Sequence, residues 1–80
     1  MILHFAVIGR FHGDDEATTL VNQAASRADA IRLFKEELCT IQNLNSAEKA
    51  EALGDDPSEH MTIYVDTVLC SAAPIEELTS

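Results

Sequence analysis

Cationic residues are scarce in this chain: five Lys and Arg stand against fourteen Asp and Glu, a net charge of −9 at pH 7. A field of that sign repels phosphate backbones and anionic lipid, so direct nucleic-acid binding and membrane-surface docking lose their electrostatic driving force. Glycine is scarcer still, with three residues. There is no phosphate loop, dinucleotide fingerprint, Gly-x-Ser-x-Gly elbow or His-Glu-x-x-His helix, which leaves little material for a nucleotide cradle or a known catalytic motif. The two cysteines, Cys39 and Cys70, form no Cys-x-x-Cys pair and have no histidine at zinc-finger spacing. Both are expected to be small buried hydrophobes, as free cysteines commonly are, in a reducing compartment. No apolar run approaches the ~20 residues a bilayer span requires. The apolar stretch from Met1 to Ile8 carries His4, lacks a basic n-region and meets Arg10 too early for a signal peptide, so the expected location is cytoplasmic.

What is present is enough for one fold. Eighty residues fit a single domain over 1–80, and an apolar share of 46% with clear periodicity is that of a globular chain. A core of this size supplies only about 3–5 kcal/mol of net stability.

Residues 2–11 are rich in β-branched and aromatic types, and Leu3, Phe5, Val7 and Phe11 share one face at the two-residue period of a strand. His12-Gly13-Asp14-Asp15-Glu16 gathers turn residues, with Gly13 or Asp14 suited to positive φ. Ala17 to Ala24 is the expected returning strand of a hairpin. Ser26 is a candidate N-cap with Asp29 at capping-box spacing, and Ala30, Ile31, Phe34, Leu38 and Ile41 form an apolar stripe over about 27–42. Asn43 or Asn45 suits the helix end. Asn45 with Glu48 repeats the capping pattern ahead of a short helix over about 46–53, closed near Gly54. Met61, Ile63 and Val65 then alternate with Thr62, Tyr64 and Asp66 in a strand over about 60–70. Pro74 to Ser80 is expected to form one helical turn or a frayed tail.

The fold class that follows is α+β: a small antiparallel sheet of about three strands, ββαβ-like, with one main helix covering one face and a short second helix. If Leu3, Phe5, Val7, Ile63 and Val65 face the helix, plain alternation places Ile8, Leu20, Tyr64 and Val68 on the other face beside His4, Arg10 and Asp66. One helix cannot cover both sides of a sheet. That second face is therefore the candidate partner surface, for a protein partner or a homodimer, unless the 46–53 segment or the tail folds over it. The acidic patches Asp14-Asp15-Glu16 and Glu36-Glu37 belong to the candidate partner-binding set as well, either as solvated surface or as a mimic of nucleic-acid phosphate.

Histidines supply the remaining candidate chemistry. His12 beside Asp14, Asp15 and Glu16 crowds ligands into a turn without calcium-loop spacing, and reads as a solvated turn. His4 and His60 meet if the outer strands pair. Cys70 with a histidine and Asp66 matches a nucleophile site in composition only. No catalytic residue, metal ligand or cofactor is assigned, and the expected protein is not an enzyme.

The segments His4-Phe5-Ala6-Val7, the Asp14-Asp15 hairpin, Ala25-Ser26-Arg27-Ala28-Asp29-Ala30-Ile31 and Ile63-Tyr64-Val65-Asp66-Thr67-Val68 resemble a class of short phage- and plasmid-borne proteins, some of them anti-CRISPR inhibitors. The resemblance covers about residues 4–38 and 61–70, and the acidic stretch 42–60 departs from the shorter members. It implies a stoichiometric inhibitor that docks on a nucleic-acid-binding effector in a host cytoplasm and blocks it. It assigns no functional residues. A small dimeric regulatory or antitoxin-like module acting through the open sheet face is the alternative.

Overall fold

A computed structural model describes residues 2–72; the expected behaviour of 74–80, including Glu76 and Glu77, lies outside the described residues. The chain runs β1 (Leu3–Phe11), β2 (Thr18–Ala24), α1 (Arg27–Ile41), α2 (Ser46–Leu53), a 3-10 turn (Glu59–Met61) and β3 (Ile63–Ser71). The strands form one antiparallel sheet in the order β2-β1-β3, so the most apolar strand is central and both of its edges are paired. This is the α+β fold expected from the sequence. It has two helices, both on the same side.

The hairpin closes through the Asp14 N–H donating to the Phe11 carbonyl at 3.1 Å, with Gly13 at φ 88°. That left-handed conformation is the one glycine takes without steric cost. α1 starts at Ser26, whose hydroxyl accepts from the Asp29 N–H at 3.2 Å, and Asp29 adds negative charge to the first turn. It ends in a Schellman motif. Asn43 sits at φ 59° and donates to the Thr40 carbonyl, while Leu44 donates back to the Cys39 carbonyl at 3.1 Å. Asn45 then caps α2 reciprocally: its side chain accepts from the Glu48 N–H at 2.9 Å and the Glu48 carboxylate accepts from the Asn45 N–H at 3.1 Å. Because α2 has only eight residues and buries one of them, Ala52, the cap carries a large share of its stability. Asn45→Ala is expected to cost about 1 kcal/mol, read by urea unfolding.

α1 lies across all three strands, while α2 packs on α1 and the 3-10 turn. The core between them is Phe5, Val7, Phe11, Ala24 and Ile63 from the sheet against Ala30, Phe34, Leu38 and Cys39 from α1, with Ala52 from α2. The thinnest dimension of the molecule, 19 Å, is that of one helix layer on one sheet. The predicted stripe holds for Ala30, Phe34 and Leu38, each fully buried, but Ile41 is exposed. Leu44, turned back by the Schellman motif, packs against the core at that end instead. Cys39 is buried as expected. Cys70 is exposed, a correction: it lies on the edge strand β3 opposite Phe5, near the end of the sheet.

Candidate binding face

Register decides which side chains lie on the uncovered side of the sheet. Along β1 the helices take Phe5, Val7 and Phe11, so His4, Ala6, Ile8 and Arg10 belong to the opposite face. β2 pairs Leu20 with Val7 and Asn22 with Phe5, which puts Leu20, Asn22 and Ala24 on the helix side and Thr19, Val21 and Gln23 on the open side. Asn22 confirms the assignment, since its Nδ2 donates to the Ala30 carbonyl of α1 at 3.1 Å. Its Oδ1 is buried without a partner.

β3 departs from plain alternation. Ile8 pairs with Thr67 but Gly9 pairs with Val65, leaving Asp66 as an extra residue in a β-bulge. The bulge reverses the side-chain phase of the strand. Ile63 and Val65 face the helices on one side of it, and Val68, opposite Val7, does so on the other. The open face therefore receives Tyr64, Thr67 and Leu69.

Of the residues expected on this surface, Ile8, Arg10 and Tyr64 are there. Leu20 and Val68 are not: both pack against the core, Leu20 because of the hairpin register and Val68 because of the bulge. Asp66 is exposed at the bulge itself. Asp14, Asp15 and Glu16 form the hairpin turn, and Glu36 and Glu37 lie on α1 in the other layer, so no single surface unites the acidic patches with the sheet face. Alternation missed Val21 and Leu69. No signal in the sequence marked Val21 as the outward residue, since an inward Asn22 is the opposite of what its polarity suggests.

Leu69 is 54% exposed and Tyr64 42%, while Ala6 at the centre is only 5% exposed although no described element covers it. Its cross-strand partners are Val21 and Leu69, and Ile8 follows it on the same face of β1. α2 does not close this face, contrary to one of the two expectations for it. Charge is partitioned in parallel. Among the described residues every carboxylate except Asp66 lies on a helix, on the 3-10 turn or in a connecting turn, and none lies on the strands otherwise.

At the hairpin end the sheet meets a small polar cluster. His12 Nδ1 is 3.1 Å from the Tyr64 hydroxyl, its Nε2 is 3.5 Å from a Glu59 carboxylate oxygen, and its ring stands 6.3 Å from that of His60. If Tyr64 donates to Nδ1, the other ring nitrogen carries the hydrogen that faces Glu59. His60 is thus beside His12 and not beside His4, which sits at the far end of β1 opposite Ser71. The reason is the antiparallel β1–β3 register: it brings the start of β3 to the end of β1. Arg10 donates to the Asp14 carbonyl at 3.1 Å, turning its charge toward the same end. The cluster is solvated and ties β1 to the 3-10 turn, and such exposed pairs contribute little to stability. Among the described residues no group of three or more His, Cys, Asp or Glu is arranged to hold a metal ion, and no helix is long and apolar enough to cross a membrane.

The two thiols have opposite environments. Burial pushes the Cys39 thiol up, with Glu36 adding to the shift and Lys49 opposing it. The folded state therefore favours the neutral thiol. That preference leaves stability unchanged at neutral pH and lowers it as alkaline pH ionises the thiol of the unfolded chain. A thiol reagent is expected to modify exposed Cys70 at once and Cys39 at least ~100-fold more slowly, through transient unfolding, as mass spectrometry of timed labelling would show. Equal rates at both would contradict the burial.

The geometry defines a class, a two-layer α+β domain with one apolar sheet face left uncovered by its described residues. Comparison with protein families, curated proteins and solved structures finds no match.

Proposed function

We propose that this chain is a non-catalytic protein-binding inhibitor that docks on a nucleic-acid-binding effector and blocks it sterically or by competing with its nucleic acid. The observation that carries the reading is the partition of charge. Arg27, Arg32, Lys35 and Lys49 nearly balance the carboxylates of the helices, so the acidic excess lies in the turns: Asp14, Asp15 and Glu16 at the hairpin and Asp55, Asp56 and Glu59 ahead of β3. These turns suit a basic partner surface, where complementary fields speed encounter. The resemblance to short phage- and plasmid-borne proteins supports the choice of effector, and it would put the protein in a host cytoplasm. Affinity capture from cells that carry RNA-guided or restriction nucleases tests it. A nucleic-acid-handling protein should be retained at low salt, released as salt rises to about 0.5 M, and displaced by duplex DNA. Retention of no such protein sinks the reading.

A second reading is a dimeric regulatory module. It is favoured by the sheet face that the described residues leave uncovered, which the acidic turns do not account for.

A further inference from the structure

We propose that the outer edge of β2 pairs with the same edge of a second copy of this chain, antiparallel about a two-fold axis at Val21, to make one continuous six-stranded sheet. An edge strand offers a row of backbone N–H and C=O groups to solvent, and native proteins blunt it with charge, proline or a bulge. The two edges of this sheet differ in that respect. β3 carries a bulge with the exposed Asp66 in it, and the connector that holds Asp55, Asp56 and Glu59 leads into it. β2 has none of these devices. Thr18–Ala24 reads Thr-Thr-Leu-Val-Asn-Gln-Ala, without a charged residue or a proline, and its register against β1 is unbroken over all seven positions.

Charge selects the occupant's direction. Two chains of net charge −9 repel, so a second copy is held only where the acidic turns stay apart. In the antiparallel pairing Val21 lies opposite Val21 of the other copy, Thr19 opposite Gln23 and Leu20 opposite Asn22, so the strand is its own complement and no like charges face each other. The two hairpin turns, each with Asp14, Asp15 and Glu16, then stand at opposite ends of the seam, about 40 Å apart at about 3.3 Å per residue and several Debye lengths at physiological salt. A parallel pairing sets them side by side. Continued past the strand ends, the antiparallel register brings Asp15 of one copy level with the exposed Arg27 of the other, at the start of α1, where the helix dipole also favours negative charge. Asp29 in the same turn offsets part of that attraction. The backbone bonds, about six to eight across seven residues, therefore supply most of the affinity.

The contact goes beyond the inhibitor reading and does not rest on it. A two-fold axis perpendicular to the sheet keeps both α1 helices on one side and both open faces on the other. The dimer thus leaves the open face uncovered and doubles its width.

Sedimentation equilibrium of the full chain from about 5 µM to 1 mM should give a monomer–dimer equilibrium. Hydrogen exchange followed by NMR should show the β2 amides that point away from β1 slowing as concentration rises, with those on the outer edge of β3 unchanged. Val21→Lys, which sets two ammonium groups opposite each other at the axis, should weaken the dimer at least ~10-fold. Arg27→Glu should weaken it several-fold at about 50 mM salt and less at about 500 mM. Leu69→Glu, on the open face of the far strand, should leave it intact. Circular dichroism of each variant verifies the fold. A strict monomer throughout the range overturns the inference, as does a dimer that Val21→Lys leaves unchanged or that Leu69→Glu abolishes. Growth into open-ended oligomers also overturns it, because two β2 edges paired with each other are closed to further copies.

Discussion

Phe34→Ala should leave the protein largely unfolded or close to it at 37 °C. The Phe34 ring is fully buried in the middle of α1 and lies over Gly9 of the central strand, within the core of Phe5, Val7, Phe11 and Leu38. Truncating a buried Phe to Ala costs about 3–5 kcal/mol, the transfer free energy of the lost ring plus the cavity it leaves. A chain of this length has only about 3–5 kcal/mol of net stability, so the loss is comparable to the whole of it. With a urea slope near 1 kcal/mol/M, as for small domains, the midpoint falls by about 3–5 M. A midpoint within about 0.5 M of the parent would refute the assigned core. Ile41→Ala, seven residues along the same predicted stripe, should change stability by less than about 0.5 kcal/mol, because Ile41 is exposed.

That contrast marks how far the sequence could be read. Local signals found the three strands and both α-helices but not the 3-10 turn Glu59–Met61, which falls where the strand was expected to begin. Ser26 and Asn45 act within four residues of their own positions, and so the starts of both helices were legible. The alternation of Leu3, Phe5, Val7 and Phe11 was equally clear, because a central strand with one face in the core obeys a strict period. Ile41 was misplaced because periodicity marks a stripe without saying where the opposing layer stops.

The binding face was legible only in part, for a different reason. Which side of a strand is buried depends on its register against a neighbour, and register is a long-range property. Leu20 faces inward because of its pairing with Val7, and the two apolar neighbours Leu20 and Val21 gave no local preference. Asp66 provided no visible sign of a bulge. Once the bulge exists, Val68 and Leu69 exchange faces, and an expectation built on simple alternation fails for all residues beyond it. The partition of charge survived these errors, since it depends on which segments are strands and not on their phase.

Gly9→Ala is expected to be as damaging as many core truncations, although it adds one methyl group. Gly9 does not need glycine for its backbone angles: its φ is not positive. It needs glycine for space. A Cβ there would overlap the Tyr64 carbonyl oxygen and come to 2.9 Å from Cε1 of Phe34. An alanine in an open strand would stabilise by about 0.5–1 kcal/mol relative to glycine. Here overpacking reverses the sign, and the expected cost is about 1–3 kcal/mol. The two overlaps can be told apart. Phe34→Leu in the Gly9→Ala background removes the ring and leaves the backbone carbonyl in the way, so rescue should be partial, on the order of 1 kcal/mol in a double-mutant cycle. Full rescue would show that β3 moves freely at this point. The residual cost lies in the bulge, because Tyr64 and Val65 form its near side and Gly9 is the residue opposite. If β3 slips one residue to make room for the methyl group, every side chain beyond the bulge changes face. Leu69 would then turn toward the helices and Val68 toward solvent.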